Sequence, residues 1–235
     1  MNVFIAELLG TAYIIAFGNG VVANVVLNKT KGNNGGLIAI TFGWSMAVFM
    51  AVYITAGVSG AHLNSAVTIG LAALGKFDWA LVPQYLLAQL LGAMLGQFFV
   101  FLLYKDHFNA TADGLTQRAC FCTDPAIRNP TQNFITEFLA TFIFMLAVLF
   151  ITKASSSLGS LDALPVALIV LAIGLSFGGP TGYAINPARD LGPRIMHSIL
   201  PMNNKSNSDW GYAWVPIVAP ILGAVAAGFF YTAIN

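Results

Sequence analysis

The chain has 235 residues, of which 57% are hydrophobic and only 8% are charged. A water-soluble domain carries about 25% charged residues, so this composition excludes an ordinary soluble fold and indicates that lipid surrounds the protein. The formal net charge of +1 provides no basic surface for nucleic acid. We therefore expect an integral membrane protein that contacts the lipid bilayer and has no nucleic-acid partner.

Uncharged stretches follow one another along the whole chain. They cover residues 8–28, 32–75, 79–104, 138–152, 163–188 and 210–235. A helix needs about 20 apolar residues to cross the hydrocarbon core, and lipid cannot satisfy free backbone groups, so helices should cross here. The predicted helices cover residues 3–27, 37–56, 80–104, 134–152, 164–178 and 213–234. Because the first contains Glu7 and follows no basic stretch, we expect it to be retained rather than cleaved as a signal peptide.

The polar connection between the third and fourth spans, residues 105–133, should form one irregular loop, because it is too short for a second domain. Cys120 and Cys122 lie in this loop, and no second cysteine pair is present to complete a zinc site. We therefore expect two unpaired thiols, and neither a metal site nor a cofactor.

The sequence contains an internal repeat. The stretch GVSGAHLNSAVTIG at residues 57–70 matches GPTGYAINPARDLG at residues 179–192 in five positions of one register. A second match aligns FIAELLGT with FITEFLAT and pairs Glu7 with Glu137, the only glutamates in the chain. Repetition at this level indicates a duplicated architecture.

The two copies should have opposite orientations in the membrane. Each half holds three spans, an odd number, so the second half enters the membrane from the side opposite to the first. We expect a single transmembrane domain, residues 1–235, made of inverted repeats at about 1–104 and 134–235 that the loop 105–133 joins.

Each copy of the motif contains an asparagine that should start a short helix, because asparagine is a favoured N-cap and Pro187 suits a first helical position. A helix from Asn64 to Gly75 would be about 18 Å long, which is near half of the roughly 30 Å hydrocarbon core. The carbonyl groups of residues 57–63 and 179–185 should then face a lumen. The helix dipoles and the amide donors of Asn64 and Asn186 would meet near the midplane, repelling cations and attracting oxygen lone pairs.

This motif is similar to that of the major intrinsic proteins, the aquaporins and glycerol facilitators, and the resemblance covers essentially the whole chain. The second signature, Asn-Pro-Ala-Arg beginning at Asn186, is intact, whereas Ser65 stands where the family usually has proline. We expect Asn64 to keep its orientation, because serine can occupy a first helical turn. The resemblance implies an all-α membrane protein with an aquaporin-like right-handed bundle of six transmembrane helices plus two re-entrant half-helices.

The resemblance also implies the residues of the narrowest ring: Trp44, Gly174, Tyr183 and Arg189. The aromatic side chains would form an apolar wall and Arg189 a polar wall, and Gly174 would widen the ring where water-selective relatives carry histidine. Asp190, directly after the arginine, is typical of the glycerol branch. Tyr183 departs from the phenylalanine of that branch, so its hydroxyl would narrow the slot or favour a more polar solute.

The loops before the two asparagines should line the lumen through backbone or side-chain groups. The expected residues are Gly60, Ala61, His62, Leu63, Gly182, Ala184 and Ile185. His62 should border the lumen without acting as a proton relay. Glu7, Glu137 and Asp190 are interpreted as structural acids, and the two glutamates should accept hydrogen bonds from N–H groups of the loops.

The function that the resemblance implies is passive passage of small neutral solutes, chiefly glycerol and similar polyols with some water, while protons and ions are excluded. Protonated lactic acid, urea, dihydroxyacetone, hydrogen peroxide and water are alternatives for the same fold. An ion-coupled secondary transporter is the alternative from another class, because inverted repeats with broken helices also describe that class. No enzyme is expected, because the sequence has neither G-x-S-x-G nor H-E-x-x-H.

The resemblance implies a multi-pass protein of a bacterial plasma membrane, with a cytoplasmic N-terminus and assembly as a homotetramer with one pore per subunit. The positive-inside rule runs against this orientation, because only Lys76 and Lys153 would lie in inner connections. The outer connections would hold Lys29, Lys31, Lys105, Arg118, Arg128 and Lys205. Gly92 and Gly96 form a G-x-x-x-G that permits close helix contact, within a protomer or between protomers.

Overall fold

The computed structural model describes residues 1–151 and 161–235, and its regular elements are helical. The α-helices are α1 Val3–Val26, α2 Gly36–Ser59, α3 Ser65–Ala73, α4 Val82–Ala110, α5 Gly114–Ala119, α6 Pro130–Ile151, α7 Leu164–Thr181, α8 Pro187–Ile199 and α9 Trp214–Ile234. A 3₁₀ turn, Trp79–Leu81, leads into α4.

In the described ranges, six helices are long and apolar enough to cross a membrane, and they correspond to the six predicted spans. They are α1, α2, α4, α6, α7 and α9, with the 3₁₀ turn counted as part of the third span. The predicted end of the fourth span at residue 152, and Lys153 in the connection after it, lie outside the described residues.

Helices α2 and α7 run three residues further than the sequence predicted, to Ser59 and Thr181. The first glycine of each repeat motif therefore remains helical, and the expectation that the lumen-facing loops begin at residues 57 and 179 was wrong. Each helix ends instead before the second glycine, Gly60 or Gly182, which has a φ of 78° and donates its N–H to the carbonyl group four residues earlier. A helix stops where the backbone adopts a positive φ, which glycine accepts without strain.

The connection after the third span contains more regular structure than predicted. Helix α4 continues to Ala110, and a short helix, α5, follows it. Asp113 caps α5 by accepting hydrogen bonds from the N–H groups of Leu115 and Thr116 and from the Thr116 hydroxyl. These hydrogen bonds, that of the Thr116 hydroxyl foremost, hold the pKa of the Asp113 carboxyl below its usual value.

Within each half, the first and third spans approach closely, and the close contact involves an equivalent glycine in both halves. A Cβ atom at Gly92 on α4 would lie 2.2 Å from the backbone oxygen of Leu8 on α1. A Cβ atom at Gly223 on α9 would lie 2.4 Å from the backbone oxygen of Phe138 on α6. Gly96 makes the same kind of contact, with Ala12. The G-x-x-x-G motif of the third span therefore packs within the chain.

The two short helices α3 and α8 pack in the interior against spans of the opposite half. A Cβ atom at Gly70 on α3 would be 3.2 Å from the Cβ atom of Ala224 on α9, and one at Gly192 on α8 would be 2.7 Å from that of Ala93 on α4. Because small residues occupy both sides of these contacts, the half-helices can lie deep between the spans.

Candidate functional site

Two short coils, residues 60–63 and 182–185, lead into α3 and α8 with the same unusual backbone. Ala61 and Leu63 have φ angles of 50°, and Tyr183 and Ile185 have φ angles of 39° and 44°. A positive φ costs a residue with a side chain roughly 1–2 kcal/mol, so these coils persist only where neighbouring groups restrain them.

Glu7 on α1 restrains the first coil and is fully buried. Its Oε1 accepts hydrogen bonds from the Ser59 hydroxyl at 2.6 Å and from the N–H of His62 at 3.0 Å. Its Oε2 accepts from the N–H of Leu63 at 2.7 Å. Hydrogen bonds to a charged group contribute about 1.5–3 kcal/mol each, which is enough to offset the strain of the coil.

Glu137 on α6 restrains the second coil in the same way. Its Oε1 accepts hydrogen bonds from the Thr181 hydroxyl at 2.7 Å and from the N–H of Ala184 at 3.0 Å. Its Oε2 accepts from the N–H of Ile185 at 3.0 Å. The hydrogen bonds predicted from the loop N–H groups to the symmetric glutamates are therefore present in both halves.

Asn64 and Asn186 are the N-caps of α3 and α8, as the sequence predicted. Each Oδ1 accepts a hydrogen bond from the N–H two residues later, at 2.9 Å for Ala66 and 3.1 Å for Ala188. Each amide nitrogen also donates to the coil of the other half, at 2.9 Å from Asn64 to the Ile185 oxygen. The bond from Asn186 to the Leu63 oxygen has the same length. The two half-helices therefore meet at their N-termini.

These cross-bonds reduce the number of donors that the asparagines offer. A side-chain amide has two N–H groups, and one from each asparagine is used to hold the opposite coil. Within the described residues, neither amide nitrogen has a second acceptor, so one N–H per asparagine remains for a molecule in the cavity.

A cavity of about 660 Å³ runs past both asparagines, with Trp44, Tyr183 and Arg189 also in its wall. Six of the residues expected to line the lumen contribute to it: Gly60, Ala61, His62, Leu63, Ala184 and Ile185. Gly174 and Gly182, both described, do not line this cavity. Gly182 serves instead as the cap of α7.

Gly174 acts on the cavity through Tyr183. A Cβ atom at Gly174 would lie 2.2 Å from the Thr41 methyl group and 3.1 Å from the Tyr183 ring. At Gly178, one turn further along α7, a Cβ atom would lie 2.8 Å from the same ring. The space that the two glycines leave is therefore occupied by the Tyr183 ring, so Gly174 affects the width of the cavity by letting that ring lie against α7.

The Tyr183 hydroxyl group is buried, and no described residue forms a hydrogen bond with it. It therefore does not project into the cavity, where it would be accessible. The expectation that this hydroxyl narrows the slot or selects a polar solute finds no support in its position.

Arg189 stacks on Trp44, with its guanidinium carbon 4.6 Å from the ring centroid. Within the described part of the chain, its side chain donates one long hydrogen bond, of 3.5 Å, to the Phe121 carbonyl oxygen. A guanidinium group has five N–H donors, so the remaining ones are available to a molecule in the cavity. The site thus combines an aromatic surface with a polar one.

Asp190 and Arg194 form the support of this site rather than its surface. Both side chains are fully buried and make an ion pair of 2.8 Å. Asp190 accepts hydrogen bonds from the N–H and the hydroxyl of Thr123, and Arg194 donates to the carbonyl groups of Thr123 and Ser208. These contacts tie the connection that carries Phe121 to α8, and they agree with the structural role expected for Asp190.

His62 borders the cavity, as expected. Its Nδ1 lies 3.1 Å from the Thr68 hydroxyl oxygen. Its ring packs against Phe77 and Tyr85, with centroid distances of 4.6 and 4.9 Å. The imidazole is thereby held by aromatic neighbours on one side and by the half-helix α3 on the other.

Several polar residues of the spans take part in the site although the sequence analysis did not identify them. Gln89 donates to Glu7 at 2.9 Å, and Asn19 donates to the Phe121 carbonyl oxygen at 3.0 Å and to Gln97 at 2.6 Å. Polar side chains inside a membrane span need a partner within the protein. That rule could have singled out these three residues, but their partners lie far away in the sequence.

Cys120 and Cys122 are unpaired, as predicted, and both are buried. They lie in the connection that also carries Phe121, between α5 and α6.

The chain is similar to known membrane proteins over nearly its whole length. A family model described as "Major intrinsic protein" matches residues 1–231. The probable glycerol uptake facilitator protein of Thermotoga maritima is 51% identical over 231 residues, which is 98% of each chain. The glycerol uptake facilitator protein of Streptococcus pneumoniae is 50% identical over 227 residues, which is 97% of each chain.

Solved structures agree with this similarity. The X-ray structure of the aquaglyceroporin from Plasmodium falciparum superimposes with a TM-score of 0.87 and 37% sequence identity, covering 97% of this chain and 94% of that one. By whole-length sequence match and by fold, the chain belongs to the major intrinsic protein family.

Proposed function

We propose that this protein is a passive channel for small uncharged solutes, chiefly glycerol and similar polyols, with some water. The observation that carries the proposal is the contact between Arg189 and Trp44, where free N–H donors and an aromatic face border the same cavity as Tyr183. A linear polyol has carbon atoms along one edge and hydroxyl groups along the other. It can therefore slide with its carbons on the aromatic rings and its oxygens on Arg189.

The two asparagines would act on the solute at the midplane. One N–H of Asn64 and one of Asn186 remain free to donate to an oxygen atom, and the N-termini of α3 and α8 add about half a positive charge each. A water molecule that accepts both bonds must point its hydrogens away from the centre, so a file of water molecules reverses direction there. The reversal and the positive field together would exclude protons and cations.

The remaining assignments concern assembly and placement. The protein is an integral multi-pass membrane protein of a family of channels, not of enzymes. We propose that residues 1–235 form one channel domain built from the halves 1–104 and 134–235. We also propose that it lies in a bacterial plasma membrane with its N-terminus in the cytoplasm, and that it forms a homotetramer with one channel per subunit. The bacterial origin of the two relatives supports the location.

A flux panel in proteoliposomes tests the proposal. Stopped-flow light scattering would measure water, glycerol, urea and lactic acid at acid pH, with protein-free liposomes as the control. Glycerol flux should rise in proportion to the glycerol gradient without saturation. It should not change when a pH or sodium gradient is imposed. Accumulation of glycerol against its gradient would show an ion-coupled transporter instead. If lactic acid passed faster than glycerol, in proportion to its protonated fraction, the solute assignment would change to lactic acid.

A further inference from the structure

The first residues of the two half-helices differ in a way that matters for the asparagines. Helix α8 begins with Pro187, whereas α3 begins with Ser65. A proline at this position has a restricted φ and lacks the N–H group that would otherwise have no helical partner. Serine has neither property, so another restraint is needed to give the first turn of α3 the same order.

The Ser65 side chain makes a buried hydrogen bond to a neighbouring span. Its hydroxyl group donates to Oε1 of Gln89 on α4 at 3.0 Å. The Gln89 amide nitrogen donates at 2.9 Å to Oε2 of Glu7 and at 3.0 Å to the hydroxyl oxygen of Thr68. Both amide hydrogens are therefore used, and the amide oxygen can only face Ser65. The direction of the Ser65 bond is set by this network, since a carboxylate accepts and cannot donate.

The same network restrains the backbone on both sides of Asn64. Before Asn64, the Glu7 carboxylate that Gln89 contacts accepts the N–H of Leu63. After it, the Thr68 hydroxyl donates to the Asn64 carbonyl oxygen at 3.1 Å. Gln89 thus connects the coil before Asn64 with the first turn after it.

The second half has no equivalent of this amide. Aligning Gly92 with Gly223 places Pro220 of α9 at the position of Gln89, and a proline side chain carries no hydrogen-bonding group. At these aligned positions, the half that has proline at the start of its half-helix also has proline on its last span. The half that has serine there has glutamine, and the serine contacts it. This pairing suggests that the amide compensates for the absent proline.

We propose that Ser65 and Gln89 are positioning residues that replace the proline of the first half-helix. Their hydrogen bond orders the first turn of α3 and so directs the Asn64 amide toward the cavity and the Ile185 carbonyl group. The inference rests on the proposed function only for its effect on solute flux. The ordering of α3 can be measured without any solute.

Hydrogen exchange of the protein in detergent micelles tests the ordering directly. In Ser65→Ala, the backbone amides of residues 66–68 should exchange roughly two- to twelvefold faster, which corresponds to a hydrogen bond of about 0.5–1.5 kcal/mol. The amides of residues 188–190 in the other half-helix should keep their rates. Ser65→Pro should restore slow exchange although it removes the hydroxyl, because the ring restricts the backbone. Unchanged exchange in Ser65→Ala, or equal acceleration in both half-helices, would overturn the proposal.

Two further variants separate positioning from a general loss of stability. Gln89→Met alone should accelerate exchange of the amides of residues 66–68. Adding Ser65→Ala to Gln89→Met should then have no further effect, because both changes remove the same hydrogen bond. Pro187→Ser is the matched control, since the new hydroxyl would meet no amide. It should accelerate exchange of α8 by at least as much as Ser65→Ala does in α3. The inference would be contradicted if the effects of Gln89→Met and Ser65→Ala were additive, or if Pro187→Ser left the exchange of α8 unchanged.

Flux measurements connect the ordering to transport. Glycerol flux per folded channel should fall severalfold in Ser65→Ala and stay within twofold of the parent in Ser65→Pro. If exchange responds as expected but the parent carries no glycerol, the proposed function fails and the positioning role stands. If the parent carries glycerol and exchange does not respond, the positioning role fails alone.

Discussion

Replacing Arg189 with valine should make the protein leak protons and small cations. The guanidinium group lies in the wall of the cavity, stacked at 4.6 Å on Trp44. At an effective dielectric constant near 20, its charge raises the energy of a cation about 5 Å away by roughly 3 kcal/mol. Such a barrier lowers the rate of passage about 10²-fold. We therefore expect cation leak to rise by about two orders of magnitude. The rise should not be larger, because the positive ends of α3 and α8 remain in place and still repel cations.

The assay uses proteoliposomes that contain a trapped pH-sensitive dye. An acid jump measures proton entry, an external methylammonium pulse measures cation entry, and light scattering on the same vesicles measures glycerol. Arg189→Lys is the matched control, because it keeps the charge but loses the planar stacking on Trp44. Arg189→Lys should leak few protons or cations, but its ratio of glycerol to water flux should differ from that of the parent. Equal leak in the lysine and valine variants, or no leak in valine, would refute the electrostatic reasoning.

Three further predictions concern Gly174 and Tyr183 at the site and the helix-packing glycine Gly92. Gly174→His should reduce glycerol flux far more than water flux, because its Cβ atom would lie 2.2 Å from the Thr41 methyl group and 3.1 Å from the Tyr183 ring, which leaves no room for an imidazole between them. An equal loss in stopped-flow measurements of both solutes would argue against the slot. Tyr183→Phe should leave the ratio of glycerol to water flux unchanged and raise the unfolding temperature by a few degrees, since a buried hydroxyl without a partner costs roughly 1–3 kcal/mol; an altered ratio would place that hydroxyl in the path. Gly92→Ala should destabilise the fold by about 1–3 kcal/mol, because its Cβ atom would lie 2.2 Å from the Leu8 carbonyl oxygen. Gly57→Ala is the control and should not destabilise the fold, because its Cβ atom would meet no atom within 4 Å. Thermal unfolding in detergent compares the two variants.

The features that were predictable are those that each short stretch of sequence carries in full. The spans follow from runs of uncharged residues, and the N-caps follow from the residue types at Asn64 and Asn186. Glu7 and Glu137 could be paired because the repeat itself supplies their equivalence. Helix ends were less accurate, since either glycine of a motif can end α2, and only the backbone conformation shows that Gly60 does so.

Local sequence alone thus established the class of protein, the six spans, the repeat and the two half-helices, since lipid imposes length, apolarity and internal hydrogen bonding on each segment separately. The fold was needed to show that each asparagine donates one N–H to the opposite coil, to residues 121 and 123 positions away in the sequence. It was also needed to show that the Tyr183 ring fills the space beside Gly174, and that Ser65 meets Gln89. Such contacts depend on the distance and rotation between packed helices, which no single segment contains.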